Sequence, residues 1–323
     1  MSNAALKVLT GAGASADPVY VDDVFSTFLY QGTSSNQNIV NGLDLSGEGG
    51  LVWIKGRPNA GYSHNLYDTA RGVTKRLASN ETTAESTYAN SVTAFNSNGF
   101  TLGSDGNGEV NYSGSTYVSW SFRKQPGFFD VVTYTGNGSA RTISHNLGSV
   151  PGMIIVKRTD SSADWQVYHR GTDGGAPEDY GIPLNSYTGR VDNAAYWNDT
   201  APTSSVFSVG TDATVNANTA TYVAYLFAHD AQDYGEDSDE AIIKCDTYEG
   251  DGGTSNFVNV GFEPQWVLIK KTTSNENWGI FDSIRGVPTG SSAATLLANE
   301  ADAETSGTSG SIDFNSFGKL SFL

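Results

Sequence analysis

Three stretches decide the fold: Leu51-Val52-Trp53-Ile54-Lys55, Met153-Ile154-Ile155-Val156-Lys157 and Trp266-Val267-Leu268-Ile269-Lys270. Each is a short apolar run closed by a lysine and set among Gly, Pro, Asn or Asp. Runs of that length between turn residues read as strands. An apolar hinge residue stands ten positions before the lysine in all three (Leu45, Leu147, Val260).

Working outward, the surroundings repeat as well. Upstream, an aromatic strand ends Tyr-x-Gly at Tyr30-Gln31-Gly32, Tyr134-Thr135-Gly136 and Tyr248-Glu249-Gly250. Downstream, a strand closes on Arg-Gly at Arg71-Gly72, Arg170-Gly171 and Arg285-Gly286. A Leu–Asn motif follows at Leu77–Asn80, Leu184-Asn185 and Leu297–Asn299. A Phe-x-x-Gly strand and a Tyr-Val-x-aromatic-x-Phe strand then finish the block, at Phe100–Gly103 with Tyr117–Phe122 and at Phe207–Gly210 with Tyr222–Phe227. The tyrosines of successive blocks lie 104 and 114 residues apart. That period exceeds a propeller blade or solenoid unit and matches one sandwich domain.

The expected fold class is all-β, as tandem β-sandwich domains of jelly-roll or lectin-like kind. Residues 1–24 form an N-terminal arm suited to attachment, 25–125 the first sandwich and 126–230 the second. Residues 231–240 form an acidic linker, and 241–323 a third, incomplete sandwich lacking the final Tyr-Val strand. Either the chain is a fragment or another chain supplies that strand. A sheet without its last strand has an open edge, which favours pairing with a partner. Around residues 75–90 the sequence offers its one helical candidate, weakened by threonines.

Composition narrows the function. The 323 residues carry 18 Lys+Arg against 35 Asp+Glu, a net charge of −17, which excludes a nucleic-acid coat. Only 16% of residues are charged, so the polarity comes mostly from small neutral side chains. Aromatics reach 11%, enough apolar area to argue against disorder. Cys245 is the one cysteine, so no intramolecular disulfide forms, and it reads as a core residue within a strand. No apolar run is long enough to span a membrane, and the N-terminus shows no secretory pattern.

Candidate site residues are few. Arg71, Arg170 and Arg285 recur in every copy and read as structural, each pairing with a carboxylate to fix a corner. Lys55, Lys157 and Lys270 read as soluble caps on exposed strand edges. His145 reads as a turn hydrogen-bonder. Tyr196 and Trp197, outside the repeat, suit either a sugar-stacking platform or packing. The acids of the linker fit a solvated segment better than a calcium loop, since EF-hand spacing is missing. No catalytic, cofactor or metal residues are assigned, and the chain is read as not an enzyme.

The segments Gly47–Lys55 with Asp68–Gly72, and Ile143–Lys157, resemble a repeated domain in tail-fibre and related virion proteins of marine tailed bacteriophages. The resemblance covers about residues 25–320. It implies a structural virion protein, a homotrimeric fibre whose N-terminal part docks on other tail proteins and whose distal part meets the host, with a surface glycan as one receptor class. A capsid-decorating or head-fibre protein and a bacterial surface carbohydrate-binding module are the alternatives.

Overall fold

The computed structural model describes residues 17–58, 60–250, 256–286, 293–306, 312–315 and 319–322; most of the N-terminal arm lies outside them. A one-turn helix, α1 (Val21–Val24), leads into the first copy. That copy contains β1 (Phe25–Gln31), β2 (Gln37–Val40), β3 (Gly50–Gly56), β4 (Asn65–Asp68), β5 (Lys75–Ala78), β6 (Ser86–Thr87), β7 (Val92–Asn96), β8 (Gly99–Leu102) and β9 (Thr116–Arg123). They form a main sheet, β1-β9-β3-β4-β5-β6, and a small sheet, β2-β8-β7.

The second copy contains β10 (Phe129–Thr135), β11 (Arg141–Ser144), β12 (Pro151–Arg158), β13 (Gln166–His169), β14 (Tyr180–Pro183), β15 (Val191–Asp192), β16 (Val206–Val209) and β17 (Thr221–Ala228). Its main sheet runs β10-β17-β12-β13-β14-β15, and β11-β16 form the small one. The third copy contains β18 (Asn256–Asn259), β19 (Trp266–Ile269), β20 (Gly279–Asp282), β21 (Leu296–Leu297), β22 (Ile312–Asn315) and β23 (Lys319–Phe322). Its sheets are β19-β20-β21 and β18-β23-β22.

The connection order has one consequence that matters. In copies one and two the last strand inserts between the first and third, so β9 and β17 are central. The lysine strands β3 and β12 are therefore buried on both faces. Period-two alternation sends Val52 and Ile54 outward onto the small sheet, and Leu51 and Trp53 inward. Copy two divides the same way, with Ile154 and Val156 facing out and Met153 and Ile155 facing in. The hinge residues Leu45 and Leu147 sit in these outer cores.

The inward faces of all three copies meet in one shared core that contains Trp53, Trp120, Ile155, Trp165, Tyr225, Trp278 and Ile280. Each copy is thus a two-sheet sandwich, but the three are staves around a common centre, not separate beads. Backbone bonds close the ring with pseudo-threefold regularity. Ala163 N donates to Thr82 O (2.9 Å) and Glu85 N to Thr159 O (2.8 Å) between copies two and one. Glu276 N donates to Tyr187 O (2.8 Å) and Arg190 N to Thr272 O (2.8 Å) between three and two. Gly61 N donates to Ala301 O (2.8 Å) and Glu304 N to Arg57 O (2.7 Å) between one and three.

Three local expectations change. The helical candidate near 75–90 is β5, turns and β6, because Leu77 must reach the shared core from a strand pairing with β4. The stretch 246–250, expected to be an aromatic strand, is not one. Its counterparts β1 and β10 pair only with β9 and β17, and among the described residues copy three offers no such strand. The linker acids Glu236–Glu240 are exposed as expected, yet Tyr234 beside them is buried and donates its hydroxyl to Pro126 O (2.7 Å).

Candidate functional site

The repeated residues converge on the seams between copies. Asn80, Asn185 and Asn299 each accept, through Oδ1, the backbone N–H of His64, Trp165 and Trp278 respectively (2.9, 2.8 and 2.8 Å). Those three rings then reach the next copy. Trp165 Nε1 donates to Ala78 O (2.9 Å), and Trp278 Nε1 to Pro183 O (3.0 Å). His64 takes the third place: its Nδ1 accepts from Trp53 Nε1 (3.0 Å), and its buried Nε2 faces the Leu297 carbonyl without reaching full hydrogen-bond geometry. Burial, then the charges of Lys55 and Arg285, hold His64 well below the usual histidine range, so it is neutral.

Two of the three lysines are not exposed edge caps, and the third, Lys270, is half-exposed. Lys55 and Lys157 are fully buried. Lys157 Nζ donates to Thr82 O (2.8 Å) in copy one and Ala163 O (2.7 Å) in its own. Lys270 does the same with Tyr187 O (2.9 Å) and Glu276 O (2.5 Å). An ammonium with three donors and no acceptor suits a cradle of carbonyls at a seam. Burial pulls all three lysines down to about 8.

The arginine corners match their expected role in two copies. Arg71 Nε pairs with Asp68 (2.6 Å) and Arg285 Nε with Asp282 (2.5 Å), both three residues back and almost entirely buried. Each corner also receives an aromatic from a neighbouring copy's last strand. Tyr225 donates its hydroxyl to Asp68 Oδ2 (2.8 Å) and accepts from Arg71 Nη2 (3.2 Å). Trp120 donates to Asp282 Oδ2 (2.9 Å), with the Arg285 guanidinium 5.3 Å from its ring centre. Arg170 departs from the expectation. His169 replaces the aspartate, and Arg170 is exposed and contacts His229 Nε2 instead of a carboxylate.

Of the two readings of Tyr196 and Trp197, Trp197 follows packing. Trp197 ends α2 (Ala194–Trp197), is only 2% exposed, and donates Nε1 to Tyr180 O (3.0 Å). Tyr196 is half-buried and packs against Gly181, where a Cβ would meet its ring at 2.6 Å. Cys245 is buried but lies outside any strand. Its Sγ donates to Ala228 O (3.3 Å), and burial pushes the thiol up to about 12, which leaves it unreactive. His145 acts as the turn acceptor it resembles, taking the Leu147 N–H on Nδ1 (3.2 Å).

Open grooves of about 460 and 590 Å³ lie on copy one, the second bordered by the hinge residue Leu45 and by Val131 of copy two, and neither gathers the repeated Lys, Arg or Asn residues. Among the described residues no cluster of three or more His, Cys, Asp or Glu could hold a metal ion, and no helix is long and apolar enough to cross a membrane.

What remains chemically open is the edge of β19. It pairs with β20 on one side, and among the described residues nothing pairs with the other. Its residues Trp266–Ile269 are all half-exposed, whereas every residue of β3 is buried. Trp266 Nε1 is buried with no hydrogen-bond partner among the described residues. The missing Tyr-Val strand led to the expectation of an open edge; that the corresponding strands β9 and β17 lie inside their sheets was not legible, because strand order is not written in the repeat. The seam asparagines were visible in the Leu–Asn motif, but their role was missed, since nothing local marks an amide as a backbone acceptor.

No curated protein and no solved structure matches this chain. A family model described as a domain of unknown function (DUF7483) matches residues 21–320, so the chain belongs to that family.

Proposed function

We propose that this chain is a structural component of a tailed-bacteriophage particle: a tail fibre, homotrimeric, whose N-terminal part docks on the tail and whose distal part contributes to host attachment. The supporting observation is where the repeated polar residues are spent. Asn80, Asn185, Asn299, Lys157, Lys270 and the Asp–Arg corners all hold copy to copy or strand to turn. A catalytic or ligand-binding domain keeps such groups in a cleft; a rigid building block spends them inside. The virion assignment itself comes from the resemblance of the Gly47–Gly72 and Ile143–Lys157 segments.

The test is localisation. Antibody against the chain should decorate the tails of purified particles in electron micrographs, and the chain should appear in their mass-spectrometric protein profile. Decoration of the capsid instead would favour the head-fibre alternative. Absence from particles, with a monomer in sedimentation at high concentration, would refute the proposal.

A further inference from the structure

We propose that the edge of β19 left unpaired among the described residues is an acceptor site for one antiparallel strand carrying the pattern Val-x-aromatic-x-Phe. The inference goes beyond the virion reading and stands on geometry alone. The chain contains two filled versions of the same place. In copy one, Leu51, Trp53 and Lys55 of β3 face Phe122, Trp120 and Val118 of β9. In copy two, Met153, Ile155 and Lys157 of β12 face Phe227, Tyr225 and Val223 of β17. The third lysine strand is in the same register, so the incoming Val faces Lys270, the aromatic Leu268 and the Phe Trp266.

Side chains on β19 are prepared for a covered position. Trp266 and Leu268 already touch the shared core, and Trp266 lies 5.5 Å from Phe122, ring centre to ring centre. Val267 and Ile269 face the small outer cluster with Val258 and Phe281. A strand apolar on both faces but half-exposed is unlike a managed edge, which carries charge, proline or a bulge. The ring also sets where the donor's aromatic goes. Trp120 reaches the corner of copy three, and Tyr225 that of copy one. Continuing the rotation brings the third aromatic to His169 and Arg170 of copy two, the corner whose carboxylate is replaced.

The described chain has no segment free to serve. β18, β22 and β23 pair with one another. Residues 243–245 are held against copy two by Asp230 N to Ile243 O (2.9 Å), Cys245 N to His229 Nδ1 (3.2 Å) and Cys245 Sγ to Ala228 O (3.3 Å). An added strand brings main-chain hydrogen bonds for affinity and alternate side chains for specificity, the general mode of strand addition.

The experiment uses the whole chain and a peptide with the β17 sequence Thr221–Ala228, flanked by charged solubilising residues. Saturable one-to-one binding by calorimetry is expected, together with at least tenfold slower hydrogen exchange across residues 266–270. A peptide with Asp at the Phe227 position should bind at least tenfold more weakly. One N-methylated on the amides facing β19 should not bind. Equal binding of the N-methylated peptide, no binding by any peptide, or full protection of 266–270 before peptide is added would each overturn the proposal. Because the readouts are binding and exchange, failure here is distinguishable from failure to find the chain in particles.

Discussion

Tyr225→Phe probes the shared core most directly. The substitution removes one oxygen and leaves the ring, which still stacks at 6.4 Å on both Phe129 and Trp165. The lost hydroxyl donates to Asp68 Oδ2 and accepts from Arg71 Nη2, both in another copy. Its phenol is held neutral by burial, so in the folded chain it acts throughout as a hydrogen-bond donor. Hydrogen bonds to charged groups contribute about 1.5–3 kcal/mol, and here the carboxylate keeps Arg71, so a loss of about 2 kcal/mol is expected. With an unfolding entropy of about 2.1 cal/mol/K per residue, a chain of this length should melt about 3 °C lower. Scanning calorimetry is the assay, because it reads cooperativity as well as Tm. Three sandwiches sharing one core should unfold in a single transition that moves as a whole. Two or three resolved transitions, with only one shifted by Tyr225→Phe, would refute the ring. So would a loss below about 0.5 kcal/mol.

Other expectations follow from the same contacts. Lys157→Met leaves the Ala163 carbonyl without its ammonium donor and the Thr82 carbonyl with only the Ala163 N–H, and should cost about 1–3 kcal/mol in urea unfolding; Lys270→Met, at a half-exposed site, should cost less, and the reverse order would contradict the carbonyl-cradle reading. Trp197→Ala should cost about 3–5 kcal/mol by cavity formation while leaving any glycan-array signal unchanged. Burial, then Arg170, lowers His169 to about 4, so the unfolded chain takes up a proton first as pH falls. Stability present above about pH 6.5 should therefore decline towards pH 4, by about 3 kcal/mol at 1.36 kcal/mol per unit, with His64 adding in the same direction. A Tm that stays flat from pH 6.5 to 5, above the main carboxylate range, would contradict neutral burial of these rings.

Much of the fold was legible in the residues. The lysine strands were identifiable because an apolar run of five residues between turn residues has strand length and is too short for a typical helix, and the hinge-to-lysine spacing tied the copies together. Gly32 and Gly136 mark a real constraint: a Cβ at either would strike the backbone oxygen of Tyr112 or Ala217. The misreading of the lysines and the ambiguity of Trp197 share a cause. Lys55 and Lys157 looked like edge caps because a charge at a strand end normally meets water, whereas both are fully buried, and for Lys157 one of the two acceptor carbonyls, Thr82 O, comes from the neighbouring copy. By sequence Trp197 suits a platform or packing, because loop-rich surroundings fix neither, and the fold brings Tyr168 (6.1 Å between ring centres) and the Tyr180 carbonyl against it.

From residues alone came the strand identities, the threefold repeat and its period, and the fact that both faces of each lysine strand are apolar. Local chemistry suffices for these, because alternation, turn residues and spacing act within a few positions. Tertiary structure alone decided that the last strand of a copy lies at the centre of its sheet, that the second apolar face is covered by the other copies, and that the three close into a ring. An apolar face records that something must cover it, and a strand edge that something must pair with it. Neither names the partner, because burial is non-directional and backbone hydrogen bonds are the same for every sequence. The partners are set by contacts between residues as far apart as Arg57 and Glu304, and among the described residues nothing pairs with the second edge of β19.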